Sequence, residues 1–189
     1  SVAKFDVKQE IEFIEELATK QKIAAVGECG LDGHWLDQGT FKAQETVFEA
    51  LVDIAMKADL PVIVHSRKLE QRCLEVLVSL GVKKAILHCF EGKLKWAKAA
   101  AEKHHFHFSI PTNATRHQGF QSMLGKLPLE CLLTETDAPY LAPDRNTRNE
   151  PRNVITTVGL LSKIRGISEP AAKSQVWDNY LRLFSNTAR

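Results

Sequence analysis

The sequence predicts an α/β fold built on a parallel sheet, and two observations carry this prediction. Apolar runs of strand length alternate with amphipathic helical stretches along the 189 residues, which is the pattern of parallel strands joined by right-handed crossovers. Four of these runs carry one acidic or imidazole side chain at the carboxyl end, as the strands of an α/β barrel do. The fold is therefore either an open sheet or a barrel of which this chain contains a part.

The composition is that of an ordinary globular protein. Hydrophobic residues make up 44% and charged residues 25% of the chain, so we expect a single domain over residues 1–189, acting as a monomer. No apolar run approaches the roughly 20 residues of a membrane span. The net charge of +2 argues against a strongly basic DNA coat. Four scattered cysteines predict buried free thiols, so we expect a cytoplasmic protein, or a nuclear one in a eukaryote.

Each element has its own signal. Asp6 followed by Gln9 resembles a capping box before the first helix. Gly81 and Gly166 are placed as helix stops, and Ser168 as the cap of the last helix. The five predicted strands cover residues 23–29, 60–65, 84–89, 105–110 and 132–137. A closed barrel has eight strands; a short one could lie in the loop before Asn153, and two more would still be absent.

The polar residues at the four strand ends are Glu28, His65, His88 and Asp137. The carboxyl ends of parallel strands meet at one edge of the sheet, so we expect these side chains to converge. A glutamate, two histidines and an aspartate supply oxygen and nitrogen ligands for one or two divalent metal ions. Such a site leaves room for a water molecule, whose pKa the metal lowers, and Asp137 could take the proton from that water.

Each of these residues also has a simpler interpretation. Glu28 could form a salt bridge with a nearby Lys or Arg, and a single strand-end histidine is more often a hydrogen-bonded structural residue. Asp137 could start the turn before Pro139. Alternation along the last strand places Glu135 and Asp137 on the same face.

Four arginines follow predicted strands on the same predicted rim. Arginine matches the geometry of phosphate with two parallel hydrogen bonds, although a single one is usually a solvated surface charge. His34 and Trp35 form a loop that could stack a base. His105 and His107 cluster along the sequence and are not expected to bind metal. The arginines are Arg67, Arg116, Arg145 and Arg148, of which Arg67, Arg116 and Arg148 are the candidate substrate-binding residues.

The chain resembles the TatD family of metal-dependent deoxyribonucleases, within the amidohydrolase-like barrel superfamily. The resemblance covers nearly the whole chain, and its motifs are specific in combination and in order. The matching stretches are residues 27–32, Gln44 with Phe48, and residues 60–67, 88–92, 134–141, 148–151 and 179–184.

The resemblance implies a (β/α)8 TIM barrel with a two-metal centre. Glu28 would bridge both ions, His65 and His88 would hold one of them, and Asp137 would hold the other and orient or deprotonate the nucleophilic water. The implied activity is hydrolysis of phosphodiester bonds in DNA, which we expect to be 3′–5′ exonucleolytic. The implied cofactor is Mg²⁺, Mn²⁺ or Zn²⁺, with one or two ions per chain.

One departure from the family pattern is important. Family members begin with a His-x-His motif on the first strand, and none precedes Glu28 here; residues 105–107 form such a motif on a later strand. We therefore expect an N-terminally truncated, partial barrel that lacks its first two strands. Such a chain would hold one metal ion well and the second poorly.

Two other functions stay open at this point. The chain could be another amidohydrolase-type hydrolase that cuts amides, lactones or phosphotriesters, but the position of Glu28 as the bridging residue favours the nuclease. It could also be a truncated, non-catalytic isoform that acts as a binding or interaction protein, which the missing histidine ligands support.

Overall fold

The computed structural model describes residues 6–35 and 37–184. Five strands form one parallel sheet in the order β1-β2-β3-β4-β5, and the predicted α/β fold is confirmed. The strands are β1 (Val26–Asp32), β2 (Val62–Arg67), β3 (Ala85–His88), β4 (His107–Ile110) and β5 (Leu132–Thr134). The helices are α1 (Val7–Thr19), α2 (Phe41–Lys57), α3 (Glu70–Ser79), α4 (Leu94–His104), α5 (Gln118–Lys126), α6 (Val154–Arg165) and α7 (Glu169–Phe184).

The predicted helix ends are confirmed. The Asp6 carboxylate accepts hydrogen bonds from the amides of Lys8 and Gln9 at 3.0 and 3.2 Å, and so caps α1. Gly81 and Gly166 follow α3 and α6 with the positive φ angles of 71° and 64° that a helix stop requires. At the start of α7, the Ser168 hydroxyl accepts a hydrogen bond from the amide of Ala171 at 3.3 Å.

Several predicted strand bounds need correction. β1 extends to Asp32 and β2 to Arg67, so Glu28 and His65 lie within their strands rather than at the ends, and the segment after Cys29 is not yet a loop. β5 ends at Thr134, before Glu135. The strand expected before residue 153 is a 3₁₀ turn, Pro151–Asn153, because Pro151 cannot donate a backbone hydrogen bond to a sheet. Among the residues that the structure describes, no helix has the length and apolarity that crossing a bilayer requires.

The contacts of the chain group into two compact units. In the described residues, one unit runs to Ile86 and includes Phe184, and the other runs from Leu87 to Leu183. Each unit is described by itself below.

In the first unit, β1 and β2 pair with an unusually close backbone approach. Gly30 lies opposite His65, and Val26 lies opposite Val62, with one extra residue in β1 between Val26 and Cys29. This β-bulge contains Glu28. Gly30 has φ 149°, and a Cβ atom built on it would lie 1.9 Å from the carbonyl oxygen of His65. Only glycine allows the two strands to approach in this way.

In the second unit, aromatic side chains fill the core around β4. Phe106 and Phe108 are fully buried, and the Phe108 ring meets Phe90 edge to face at 5.4 Å. His107, which alternates with them, is half-buried. Burial, together with the charge of Arg182, lowers the pKa of His107 from 6.5 to about 4.

A long loop follows β5 in the second unit, and the buried side chain of Asn149 holds it together. The Asn149 amide donates hydrogen bonds to the carbonyl oxygens of Thr136 and Tyr140, both at 2.6 Å, and to the hydroxyl of Thr112 at 2.9 Å. Its oxygen accepts from the backbone amide of Glu150 at 3.0 Å. These bonds fix the backbone on both sides of residue 137.

Replacing Gly30 with alanine is expected to lower the free energy of unfolding by about 3–5 kcal/mol, because the new methyl group collides with backbone. Urea denaturation would measure the change. Gly159→Ala is the control: in the middle of α6 its Cβ would meet Glu169 at 3.4 Å, and alanine there should stabilise the helix by about 0.5–1 kcal/mol. Equal stability of the two variants would contradict the close approach.

The lowered pKa of His107 predicts a loss of stability in acid. The unfolded chain binds this proton near pH 6.5, whereas the folded chain binds it only near pH 4. Stability is therefore fully present above pH 6.5 and falls towards pH 4, by about 3 kcal/mol. His107→Gln should flatten this part of the profile in urea denaturation between pH 7 and pH 4. A profile with the wild-type slope would show that another group is responsible.

Replacing Asn149 with alanine is expected to cost about 3 kcal/mol, because buried carbonyl groups lose their donor. The loop around residue 137 should also become susceptible to limited proteolysis while the rest of the chain stays folded. Arg148→Ala, which changes the exposed neighbouring residue, should leave both the melting temperature and the rate at which the protease cuts this loop unchanged. Thermal denaturation and timed digestion would separate the two variants.

Candidate functional site

His65 lies between two carboxylates in the first unit. Its Nδ1 atom is 3.2 Å from Oε1 of Glu28, and its Nε2 atom is 2.9 Å from Oδ2 of Asp32. The predicted convergence of Glu28 and His65 is thus observed. The side chain of Asp32 is 13% exposed, whereas that of Glu28 is 46% exposed. Asp32 therefore holds the ring from the buried side and Glu28 from the solvent side.

The electrostatics of these residues favour a protonated His65 beside an ionised Asp32. The hydrogen bond with Glu28 raises the pKa of His65, partial burial opposes this, and Asp32 adds to the rise. Desolvation by burial opposes ionisation of Asp32, but hydrogen bonds from the Trp35 amide and from His65 outweigh it, and the pKa of Asp32 is lowered. The site thus stabilises a positive charge between two carboxylates, and a cation could take the place of that proton.

The backbone of Asp32 is held by Gln44 on α2. The side-chain oxygen of Gln44 accepts from the Asp32 amide at 2.7 Å, and its nitrogen donates to the Asp32 carbonyl at 3.1 Å. That nitrogen also donates to the hydroxyl of Thr40 at 2.9 Å. Helix α2 packs against β1, and its side chains Phe48 and Val52 are fully buried. The helix therefore fixes the end of β1, and with it the Asp32 carboxylate.

An apolar cavity of about 980 Å³ opens beside this group in the first unit. Glu28, Asp32 and His65 lie in its wall, and apolar side chains of α1 and α2 provide most of the remaining surface. The volume is in the range of small-ligand sites. The apolar residues in the wall are Val7, Ile11, Ile14, Ala43, Val47, Phe48 and Leu51.

In the second unit, His88 is also held by a carboxylate. Its Nδ1 atom is 2.6 Å from Oε2 of Glu135, and the same oxygen accepts a hydrogen bond from the hydroxyl of Ser109 at 2.5 Å. The other oxygen of Glu135 is buried without a hydrogen-bond partner. Because Glu135 occupies Nδ1, the ring of His88 directs Nε2 towards any further ligand.

Asp137 is exposed in the loop after β5. The prediction that Glu135 and Asp137 share a strand face is wrong, because β5 ends at Thr134 and Asp137 has a left-handed φ of 57°. The turn interpretation is correct in part, since the Asp137 carbonyl accepts from the Tyr140 amide at 2.8 Å. Metal binding and proton transfer by Asp137 stay predictions.

The candidate arginines differ in their surroundings. Arg67 is the last residue of β2 rather than a loop residue, so its predicted position needs correction. Arg116 ends the 3₁₀ segment Thr112–Arg116, and its guanidinium donates to the carbonyl of Ala142 at 3.2 Å. Arg145 and Arg148 are exposed in the loop after β5. Phosphate binding by Arg67, Arg116 and Arg148 stays a prediction.

The sequence did not predict that Asp32 and Glu135 contact the two histidines. Each offers a carboxylate to one ring nitrogen of a predicted metal ligand. In metal sites a ligating histidine almost always donates its second N–H group to such a partner. The chemistry around His65 in the first unit, and that around His88 in the second, therefore each fit a ligand of a divalent metal ion. The signal in the sequence was the acidic residue beside each strand end.

Cys29 and Cys73, which lie in the first unit, are buried and form no disulfide. Burial, with smaller contributions from Cys73 and Glu28, raises the pKa of the Cys29 thiol to about 12. Burial likewise raises the pKa of Cys73 to about 12. Both thiols are protonated at neutral pH, and the candidate metal ligands of the first unit are imidazole and carboxylate groups.

The chain is similar to known proteins along most of its length. The family model described as TatD-related DNase matches residues 1–185. The human protein named deoxyribonuclease TATDN3 is 33% identical over 168 residues, which cover 87% of this chain and 61% of that protein. The Methanocaldococcus jannaschii protein described as the uncharacterized metal-dependent hydrolase MJ1582 is 29% identical over 163 residues, which cover 86% of this chain and 63% of that protein.

Solved structures agree with these sequence matches. The crystal structure of YJJV, a TatD homologue from Escherichia coli K12, matches with a TM-score of 0.88 at 25% identity and covers 97% of this chain and 73% of that one. The predicted TIM-barrel type of fold is confirmed by this likeness. The chain spans 61% to 63% of the length of its curated relatives from zebrafish, human and M. jannaschii. Since the family model matches nearly every residue, the chain belongs to the family of TatD-related DNases.

Proposed function

We propose that this chain carries the active site of a divalent-metal-dependent deoxyribonuclease that hydrolyses phosphodiester bonds of DNA. The observation that carries the proposal is His65, which contacts Glu28 on one ring nitrogen and Asp32 on the other. Membership of the TatD-related DNase family supports it. The human relative's name, a deoxyribonuclease, and the archaeal relative's name, a metal-dependent hydrolase, point to the same chemistry.

The proposed ligands are Glu28, His65, His88 and Asp137. Glu28 and His65, which lie together in the first unit, are proposed for one ion with His88 as a further ligand, and Asp137 is proposed for a second ion. Imidazole and carboxylate ligands suit Zn²⁺ and Mn²⁺, and carboxylates also suit Mg²⁺. A bound divalent ion would polarise the phosphoryl oxygen and lower the pKa of its water.

The protein's own side chains have distinct roles in this proposal. Asp32 orients His65, and Glu135 orients His88, so that each ring presents its other nitrogen in a fixed direction. The exposed carboxylate of Asp137 accepts the proton of the attacking water. Arg67, Arg116 and Arg148 neutralise the phosphate groups of the substrate, with Arg148 on the same loop as Asp137.

The proposal extends to the direction of DNA cleavage, the oligomeric state and the cellular compartment. We propose 3′–5′ exonuclease action by a monomer with one or two metal ions. We also propose a reducing compartment, the cytoplasm or the nucleus, which the free cysteines support. Strands labelled at either end would reveal the polarity, because a 3′–5′ enzyme releases the 3′ label first.

Asp137→Asn is expected to reduce the release of nucleotides from labelled DNA by about 10²–10⁴-fold in Mg²⁺ or Mn²⁺, because the amide cannot accept the proton. The melting temperature should not change, because the side chain is exposed. Asp144→Asn, at another exposed acid of the same loop, is the matched control and should retain full activity.

Excess chelator should abolish the activity of the unchanged chain, and added Mn²⁺ should restore it. Activity that persists in chelator would refute the metal mechanism. Equal activity of the Asp137→Asn and Asp144→Asn variants would exclude Asp137 from the proposed site. The other proposed ligands, Glu28, His65 and His88, would not be affected by that result. A chain that is inert with every divalent metal but still binds DNA would favour the alternative of a non-catalytic binding protein.

A further inference from the structure

Ser109 is a buried residue of the second unit whose hydroxyl contacts a side chain of the candidate site. It lies on β4 and is 6% exposed. Its hydroxyl donates a hydrogen bond to Oε2 of Glu135, the same oxygen that lies 2.6 Å from Nδ1 of His88. A single carboxylate oxygen therefore connects the hydroxyl of Ser109 to the ring of a proposed metal ligand.

The orientation of the Glu135 carboxylate depends on these two contacts. The backbone amide of Glu135 donates to the carbonyl oxygen of Ile110 at 3.1 Å, which places the residue beside β4. The other carboxylate oxygen, Oε1, is buried and has no hydrogen-bond partner among the residues that the structure describes. The last torsion of a glutamate side chain is soft, with two broad preferred positions. The hydrogen bonds with Ser109 and His88 therefore determine which oxygen faces the imidazole.

In the first unit, backbone amides hold the corresponding carboxylate. One oxygen of Asp32 accepts from the amides of His34 and Trp35, and the other lies against the ring of His65. In the second unit the additional donor is a side-chain hydroxyl. A hydroxyl can be removed by one substitution, whereas a backbone amide cannot, so the contribution of such a donor can be measured in the second unit.

The orientation of Glu135 matters because it fixes the ring of His88. When a carboxylate accepts the proton of Nδ1, the lone pair of Nε2 is left to bind a metal ion. Loss of a residue that orients a metal ligand in this way typically lowers metal affinity by about 10–100-fold. Ser109 is one contact further from the ring than Glu135, so we expect the lower end of this range.

We propose that Ser109 is a positioning residue for the proposed metal ligand His88 and that it acts through Glu135. Its hydroxyl keeps Oε2 of Glu135 against Nδ1 of His88, so that Nε2 is presented to the ion. The inference rests on the proposed function, because it concerns a ligand of the proposed metal site. It adds to that site a residue that contacts neither metal nor substrate.

The test is a calorimetric titration of the whole chain with Mn²⁺ in the absence of DNA. Ser109→Ala should weaken Mn²⁺ binding about tenfold, and Ser109→Thr, which keeps a hydroxyl, should recover most of the loss. Ser162→Ala is the matched control, because Ser162 is also a buried serine of the second unit and its hydroxyl donates to the carbonyl oxygen of Ile167 at 2.6 Å. This variant should lose thermal stability but keep its Mn²⁺ affinity.

A double-mutant cycle determines whether the hydroxyl acts through Glu135. Glu135→Ala should weaken Mn²⁺ binding, and the addition of Ser109→Ala should cause no further loss, because the hydroxyl then has no carboxylate to orient. Additive losses would overturn the proposal. So would a Mn²⁺ affinity of Ser109→Ala equal to that of the unchanged chain, or failure of the unchanged chain to bind Mn²⁺.

A measurement without metal examines the same contact and does not depend on the Glu135→Ala variant folding. In chelator and mildly alkaline buffer, the Nδ1 proton of His88 should be visible by NMR, because its hydrogen bond with Glu135 slows exchange with water. Exchange should be faster in Ser109→Ala and unchanged in Ser162→Ala. Equal exchange rates in the Ser109→Ala variant and the unchanged chain would overturn the proposal.

The outcomes for Ser109 and for the nuclease function can be told apart. If Mn²⁺ affinity depends on Ser109 but the chain cleaves no DNA, the positioning role stands and the nuclease function fails. If the chain cleaves DNA in Mn²⁺ and Ser109→Ala changes neither the Mn²⁺ affinity nor the exchange of the His88 proton, the nuclease function stands and the positioning role fails.

Discussion

The approach of β1 to β2 at Gly30 is the constraint on which the candidate site depends. The carbonyl oxygen of His65 occupies the space that a side chain at residue 30 would need. The bulge between Val26 and Cys29 shifts the pairing by one residue. With both features, carboxylates four residues apart on β1 reach the two nitrogens of a single imidazole. A regular strand with an ordinary residue at position 30 would separate the backbones and this contact would be lost.

The two units repeat one local arrangement around their histidines. Asp32 binds the ring of His65, and Glu135 binds the ring of His88. A carboxylate on one ring nitrogen fixes the tautomer and the orientation of the ring and makes the other nitrogen a better donor to a metal. Hydrogen bonds also explain why these carboxylates tolerate partial burial. The Asp32 carboxylate accepts from the amides of His34 and Trp35 as well as contacting His65. The Glu135 carboxylate accepts from Ser109 as well as contacting His88.

The sequence was sufficient for the order of strands and helices, because apolar periodicity and helix caps act locally. The strand end at His88 was predicted for the same reason, whereas β1 and β2 continue beyond Glu28 and His65 to Asp32 and Arg67. The roles of Asp32 and Glu135 depend on pairing between distant segments, which periodicity along one chain does not contain. The bulge and the two glycines of β1 made its second half resemble a loop. The left-handed turn at Asp137 broke the alternation on which its pairing with Glu135 relied, because the local hydrogen bonds of the loop outweigh the strand preference of residues 132–137.

The buried thiols have a practical meaning. Burial raises the pKa of Cys29 and Cys73 to about 12, so both thiols are almost entirely protonated at neutral pH. Alkylating agents and mild oxidants attack the ionised form, so they will pass over both residues while β1 and β2 remain paired. The rate at which iodoacetamide labels Cys29 would consequently serve as an intrinsic gauge of how often this part of the protein opens.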